Sequence, residues 1–171
     1  MSTDELTDVV DEEDHVIDQA TRREVRVRNL LHRSVYVLVF NSAGQLFVHQ
    51  RTPTKDIFPG RWDVAVGGML VAGEDYDMGA RREISEEVGV NGPLRRLFRV
   101  RYEDAVNRVM GMVYSCTCDG PLALQASEIT SGEWLDLDVV LERTQQNPFC
   151  PDGLKVLHLY LSTLNEARKR P

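Results

Sequence analysis

Between Gly68 and Val90 the chain sets an arginine and several glutamates in fixed register: Glu74 after five intervening residues, then, after seven more, Arg82-Glu83-Ile84-Ser85-Glu86-Glu87-Val88-Gly89-Val90. If Asp77 to Val88 is a helix, Glu83, Glu86 and Glu87 stand at i, i+3 and i+4, within about 100° of one face. Three carboxylates on one patch repel one another and raise one another's pKa, so the arrangement makes chemical sense around a divalent cation. Oxygen-only ligands suit a hard ion, Mg²⁺ or Mn²⁺, better than zinc.

The elements that hold these residues are written in the same stretch. Ala80, Ile84 and Val88 recur at i, i+4 and i+8, an apolar stripe that packs the helix on a core while the carboxylates face a cleft. Gly89 supplies the C-terminal stop. Arg82 lies beside Glu86 and within reach of Glu74, where a guanidinium fork fixes a carboxylate in one orientation. Gly67, Gly68 and Gly73 permit close backbone approach to an ion, and the Gly68 carbonyl is a candidate extra ligand. An isolated EISEE run would read as a solvated helix face. Gly68, Glu74, Arg82 and Gly89 all in register argue against that here, a coincidence of roughly one in ten million or less per chain at average amino-acid usage.

The segment resembles the Nudix box of the Nudix hydrolase superfamily and matches every fixed position of its G-x5-E-x7-R-E-U-x-E-E-x-G-U pattern. The resemblance implies an α/β fold, the Nudix α/β/α sandwich with a mixed sheet, in which a loop-helix-loop binds Mg²⁺, with Mn²⁺ as a substitute. It also implies that water attacks a phosphorus of a diphosphate linked to another group, often a nucleoside. Substrate choice lies outside the box.

Length and composition agree with one domain over residues 1–171: with 42% apolar residues the chain can bury a full core, and no Pro/Gly/Ser-rich stretch divides it. Residues 1–7 read as a loose acidic tail. There is no long apolar run, and the N-terminus is acidic where a secretion signal would be basic and then apolar, so a cytoplasmic protein without a membrane partner is expected. The three cysteines, with Cys116 and Cys118 on one strand, fit reduced packing or surface thiols. A net charge of −7 argues against long nucleic acid as a partner and leaves a small, metal-bridged polyphosphate compatible.

Periodicity predicts a short hairpin over Val9 to Val16, a strand pair over Ser34–Phe40 and Gln45–Gln50, strands over Arg95–Tyr102, Val109–Cys118 and Gly132–Leu137, and helices over Leu137–Gln146 and Asp152–Arg168.

A second resemblance, through Asn29-Leu-Leu-His32-Arg33 and Gln50-Arg51-x3-Lys55-x3-Pro59-Gly60-x-Trp62, is to the isopentenyl-diphosphate isomerase branch of the superfamily. That branch places an essential cysteine in a Cys-Gly-His stretch where this chain has Gly67-Gly68-Met69, so isomerase chemistry is disfavoured. The same resemblance implies diphosphate contacts at Arg51 and Lys55, whose chemistry suits phosphate. His32 matches a metal-ligand position of that branch, but its companions are absent and a structural histidine is the better reading. Glu128, ahead of Glu133-Trp134, matches a glutamate that many Nudix proteins use to complete the metal site or deprotonate water; a surface-loop role stays open. Phe58, Trp62 and Tyr102 read as core aromatics before base-stacking platforms.

The expectation is therefore metal-dependent hydrolysis of a nucleoside di- or triphosphate. Gly68, Glu83, Glu86 and Glu87 hold the ion; Arg51 and Lys55 bind phosphate; Glu86, Arg82 and Glu128 form the catalytic set, with the general base open between Glu86 and Glu128. A non-catalytic nucleotide sensor is the alternative of another class, and either a monomer or a homodimer fits.

Overall fold

The computed structural model describes residues 4–169. Strand β3 (His32–Phe40) organises the molecule, because its side chains alternate between two cores. Val35, Val37 and Val39 pack with Tyr76, Ala80, Ile84 and Val88 of helix α2 (Tyr76–Val88) on one face. Tyr36 and Leu38 pack on the other face with Val140 of α3 (Leu137–Thr144) and with Val156 and Leu157 of α4 (Pro151–Lys169). A strand buried on both faces reads as a continuous apolar run, and two helical layers around such a sheet make the α/β/α sandwich.

The sheet is mixed. Strand β7 (Arg108–Thr117) runs parallel to β3 along its whole length, and β6 (Arg95–Glu103) pairs antiparallel with β7. Strand β4 (Leu46–Arg51) pairs antiparallel with β8 (Ile129–Leu135) and with the short β5 (Trp62–Asp63). The expected β3–β4 hairpin is only a shared corner, with Phe40 opposite Leu46. The reason is competition for β3's free edge. The loop that follows β5 takes it, with Val37 N–H donating to Val66 O at 2.7 Å, Val35 N–H to Gly68 O at 3.0 Å and Leu70 N–H to Arg33 O at 3.0 Å. This interloper carries Gly68 into the sheet and fixes the start of the box.

The N-terminal region is more ordered than its acidity suggests. Strand β1 (Leu6–Val10) pairs antiparallel with β2 (Val16–Thr21), which forms the hairpin expected near Val9 to Val16. The loose tail expected over residues 1–7 is corrected at its inner end, because Leu6 and Thr7 are in β1 and buried Thr7 donates from Oγ1 to Leu70 O at 2.6 Å. Residues 1–3 of that tail lie outside the described residues. Helix α1 (Arg22–Arg28) follows, started by a capping box in which Thr21 Oγ1 accepts from Glu24 N–H and the Glu24 carboxylate accepts from Thr21 N–H. Among the described residues no helix is long and apolar enough to cross a membrane.

Candidate functional site

Helix α2 begins at Asp75, whose side chain accepts from Met78 N–H at 2.8 Å, and ends at Gly89 with φ of 72°, the left-handed stop a glycine makes cheaply. Its buried face carries Glu83 and Glu87 as well as Ala80, Ile84 and Val88. The two carboxylates are only 2% and 6% exposed, whereas Glu86 is exposed at the rim.

Burial pushes the Glu83 carboxyl up to about 7 against the opposing pull of Arg82, and it pushes Glu87 up to about 8 against that of Lys55. Two acids one helical turn apart in a desolvated wall thus need positive charge to stay ionised. Two side chains supply it. Arg82 grips Glu74 with Nε and Nη2 at 2.7 and 2.8 Å, and its Nη1 donates to Glu83 at 2.7 Å and stands 3.5 Å from Glu86. Lys55 Nζ bonds to Glu128 and stands 3.9 Å from Glu87. Among the described residues no three acidic, histidine or cysteine side chains converge as a ready-made ligand shell.

Lys55, Glu83, Glu86, Glu87 and Glu128 line one cavity of about 190 Å³, together with Thr54, Gln125 and the Gly67-Gly68 backbone, whereas Arg82 and Glu74 are not part of its lining. Gly68 leaves Glu83 undisturbed, since a Cβ there would lie 2.9 Å from Glu83 Oε1 and push that carboxylate aside. Its carbonyl already accepts one hydrogen bond from Val35 and keeps its second lone pair. Hard oxygen donors, buried acids held up by desolvation and a side-chain-free backbone fit a divalent cation. The loop carrying Glu128 is tied to the helix C-terminus by Gln125 N–H donating to Glu87 O at 2.8 Å.

Of the two expected phosphate contacts, Lys55 lines this cavity and Arg51 does not. Arg51 turns toward the buried Asp63 at 3.9 Å and donates from Nη2 to Ile57 O at 3.2 Å. The reason lies in the strand pairing: His49 faces Asp63 across β4–β5, which puts that desolvated carboxyl beside Arg51. Arg51 thus belongs to a second, smaller cavity of about 50 Å³, with Arg26, Asp63 and Asp152. Tyr36 OH donates to Asp152 at 3.0 Å there, and burial, with Asp152 close by, pushes the Asp63 carboxyl up to about 6.

His32 is fully buried with Nδ1 2.9 Å from Leu30 O, outside both cavities. The aromatics are structural neighbours: Arg143 lies 4.8 Å over Trp62, Arg61 5.6 Å over Phe58, and Tyr102 OH donates to Asp104 at 2.5 Å. All three cysteines are free, Cys116 and Cys150 buried. The site also contains residues that spacing within the box does not reveal: Arg22, Thr54, Asp56 and Gln125 around the carboxylates, and Arg26 beside them. The Thr21-Arg-Arg-Glu24 capping signature was the one available signal, since it starts the helix that presents Arg22 and Arg26.

Where the isomerase branch has its cysteine, Gly67 has φ of 154° and a Cβ would lie 2.0 Å from the Val35 carbonyl oxygen. The backbone here has no room for any side chain, so the missing thiol is built into the fold.

Comparison with known proteins gives a consistent match. A family model described as the NUDIX domain matches residues 30–158. A protein of Pseudomonas aeruginosa described as the uncharacterised Nudix hydrolase PA4841 is 42% identical over 158 residues, covering 92% of this chain and 94% of that protein. The crystal structure of DR0079 from Deinococcus radiodurans superposes with a TM-score of 0.80 at 30% identity, over 90% of this chain and 98% of that one. The Nudix domain of Shewanella oneidensis NrtR, solved with ADP ribose, has a TM-score of 0.63 at 20% identity, over 77% of this chain and 87% of that one. That likeness is one of fold alone.

Proposed function

Because the chain belongs to the Nudix hydrolase family, enzymes that hydrolyse phosphoanhydrides and generally use divalent metal ions, we propose that it hydrolyses a nucleoside di- or triphosphate in the cavity beside α2, with Mg²⁺ or Mn²⁺ bound. The observation that carries this reading is that Glu83, Glu86, Glu87, Glu128 and Lys55 line one cavity with Gly68.

Glu83, Glu86, Glu87 and the Gly68 carbonyl are the groups that would hold the ion. A bound divalent cation supplies charge neutralisation for the phosphoryl oxygens and acidifies water near neutral pH. The chain's own residues do the rest. Arg82 keeps Glu83 and Glu74 in fixed orientation. Lys55, with its stem packed in the wall, neutralises charge that develops on the leaving phosphate. As the water oxygen bonds to phosphorus and the bridging P–O bond breaks, the water's proton passes to a rim carboxylate, Glu86 or Glu128. Separate Glu86→Gln and Glu128→Gln variants distinguish the two, because the base variant alone loses turnover that rises again with pH as hydroxide replaces the assisted water.

The test is ³¹P NMR of the protein with Mg²⁺ and a panel of nucleoside di- and triphosphates, nucleotide sugars, dinucleoside polyphosphates and isopentenyl diphosphate. Cleavage that depends on metal and on Glu87 supports the hydrolase, and the products name the bond broken. Nucleotide binding without cleavage across the panel favours a sensor instead. Isomerisation of isopentenyl diphosphate is not expected, given Gly67.

A further inference from the structure

The acids of the larger cavity fall into two groups by the cation each meets. Arg82 serves Glu83 and Glu86 without lining the cavity. Glu87 and Glu128 instead meet Lys55, which does line it. The other cation in the lining among the described residues, Arg22, donates to Asp56 from Nε at 3.1 Å and from Nη2 at 3.3 Å. Arg51, which acts on Glu87 more weakly than Lys55 does, is turned to Asp63.

The meeting of Lys55 with these two acids is built by the backbone. Thr52 N–H donates to Glu128 O at 3.0 Å and Thr52 Oγ1 donates to Ser127 O at 3.0 Å, so the loop after β4 is fastened to the loop before β8. Lys55 N–H returns to Thr52 O at 3.4 Å and closes the turn that carries the lysine. The Glu128 loop is fastened in turn to α2, where Gln125 N–H donates to Glu87 O. Three chain segments therefore bring one ammonium and two carboxylates together by bonds that do not involve those side chains. Lys55, Glu87 and Glu128 are 12%, 7% and 18% exposed at their side chains, so the solution screens this trio little.

A helix carboxylate and a neighbouring loop carboxylate are the donors that a second hard cation would use. An ammonium is compact, offers three N–H donors to the same oxygens and repels a divalent ion from its position. We infer that Lys55 is a built-in substitute for a second metal ion: the cavity takes one divalent ion, on Glu83, Glu86 and Glu87, and Lys55 holds the position between Glu87 and Glu128. The inference rests on the reading of the box acids as metal ligands. It deepens that reading by setting the number of ions, and it makes the charge beside Glu128 a permanent one that does not vary with metal concentration.

The experiment counts Mn²⁺ bound per chain by electron paramagnetic resonance, with the full-length protein titrated with Mn²⁺ in the absence of substrate. The wild type is expected to bind one ion, with the spectrum of an isolated Mn²⁺. Lys55→Met, which keeps the apolar stem and removes the charge, is expected to bind two, with the exchange-coupled spectrum of ions about 3.5–4 Å apart. Lys55→Gln is expected to give the same count, a gain that a damaged fold does not produce. Lys55→Met/Glu128→Gln removes one of the new donors and is expected to return to one ion. Lys155→Gln, which removes an exposed charge lining neither cavity, controls for net charge and is expected to bind one. Two ions or none on the wild type, no second ion on either Lys55 variant, or a second ion on Lys155→Gln would each overturn the inference. Ions are counted without turnover, so the two readings fail separately: the expected counts without hydrolysis of any nucleotide leave the lysine's role standing alone, and hydrolysis by a wild type that holds two ions leaves the hydrolase reading standing alone.

Discussion

Arg82 holds Glu74 by two parallel hydrogen bonds, Nε to Oε1 at 2.7 Å and Nη2 to Oε2 at 2.8 Å, while its third nitrogen reaches Glu83. One planar fork thereby fixes the box loop to the box helix and aims a buried carboxylate at the cavity. A lysine keeps the charge but cannot make both bonds at once. Arg82→Lys is expected to lower kcat by about 10- to 100-fold, the range seen when groups that orient metal ligands are lost, and to leave KM within a few-fold. Steady-state kinetics at saturating Mg²⁺ checks this; unchanged kcat would mean that orientation of Glu83 does not limit turnover.

Glu87 is the more buried of the two acids that Lys55 pairs with, its carboxylate 3.9 Å from the ammonium. Glu87→Gln keeps its shape and removes its charge. The expected outcome is a loss of turnover of about 10³-fold or more, in line with the loss of a group acting directly in transition-state stabilisation. The fold should survive, because a neutral amide is easier to bury than a carboxylate. Thermal melts with and without Mn²⁺ separate the two effects: the wild type gains stability from the metal and the variant gains much less. A variant with an undiminished metal-dependent gain would remove Glu87 from the ion's ligands.

Much of this was legible in the chain, and the limits have physical causes. The box was readable because a helix converts sequence spacing directly into spatial adjacency, so Glu83, Glu86 and Glu87 are neighbours by construction. β3 was readable as a strand for its β-branched run, but its partner was not. An unbroken apolar run carries no face information, and the edge next to Val35 and Val37 goes to the loop at Val66 and Gly68 instead of β4. The direction of Arg51 depends on Asp63, a dozen residues away and brought alongside only by the β4–β5 pairing. Arg22, Arg26 and Asp56 meet across 30 or more residues of chain, a contact between an early helix and a later loop that periodicity does not encode.

The two glycines before the box should fail differently. A Cβ on Gly67 would meet the Val35 carbonyl oxygen at 2.0 Å, a backbone atom that cannot move without breaking β3's edge. A Cβ on Gly68 would meet the end of the Glu83 side chain at 2.9 Å, which can turn aside. Gly67→Ala is therefore expected to cost on the order of 3 kcal/mol or more in urea unfolding, as backbone strain and a forced clash do. Gly68→Ala is expected to lose less than about half that while losing at least tenfold in turnover, because Glu83 is the group displaced. Equal stability losses in the two variants would contradict this placement of Glu83.

His32 and His49 are fully buried, and burial first of all, with nearby arginine charge, pushes both down to about 3 from an ordinary 6.5. His32 Nε2 and His49 Nδ1 have no hydrogen-bond partner, so neither ring is set up to carry a second proton. The folded protein keeps both neutral where the unfolded chain would take up protons. Their contribution to stability is therefore complete above about pH 6.5 and falls as the pH drops toward 3, by about 1.4 kcal/mol per pH unit for each ring. A glutamine at position 32 can keep the donor to Leu30 O and cannot titrate. His32→Gln is expected to reduce the slope of unfolding free energy against pH between about pH 6 and 4.5 by about 1.4 kcal/mol per unit, with the slope above pH 7 unchanged. Urea denaturation at a series of pH values measures it. An unaltered acid slope would mean that His32 is already protonated, or reached by water, in the folded state.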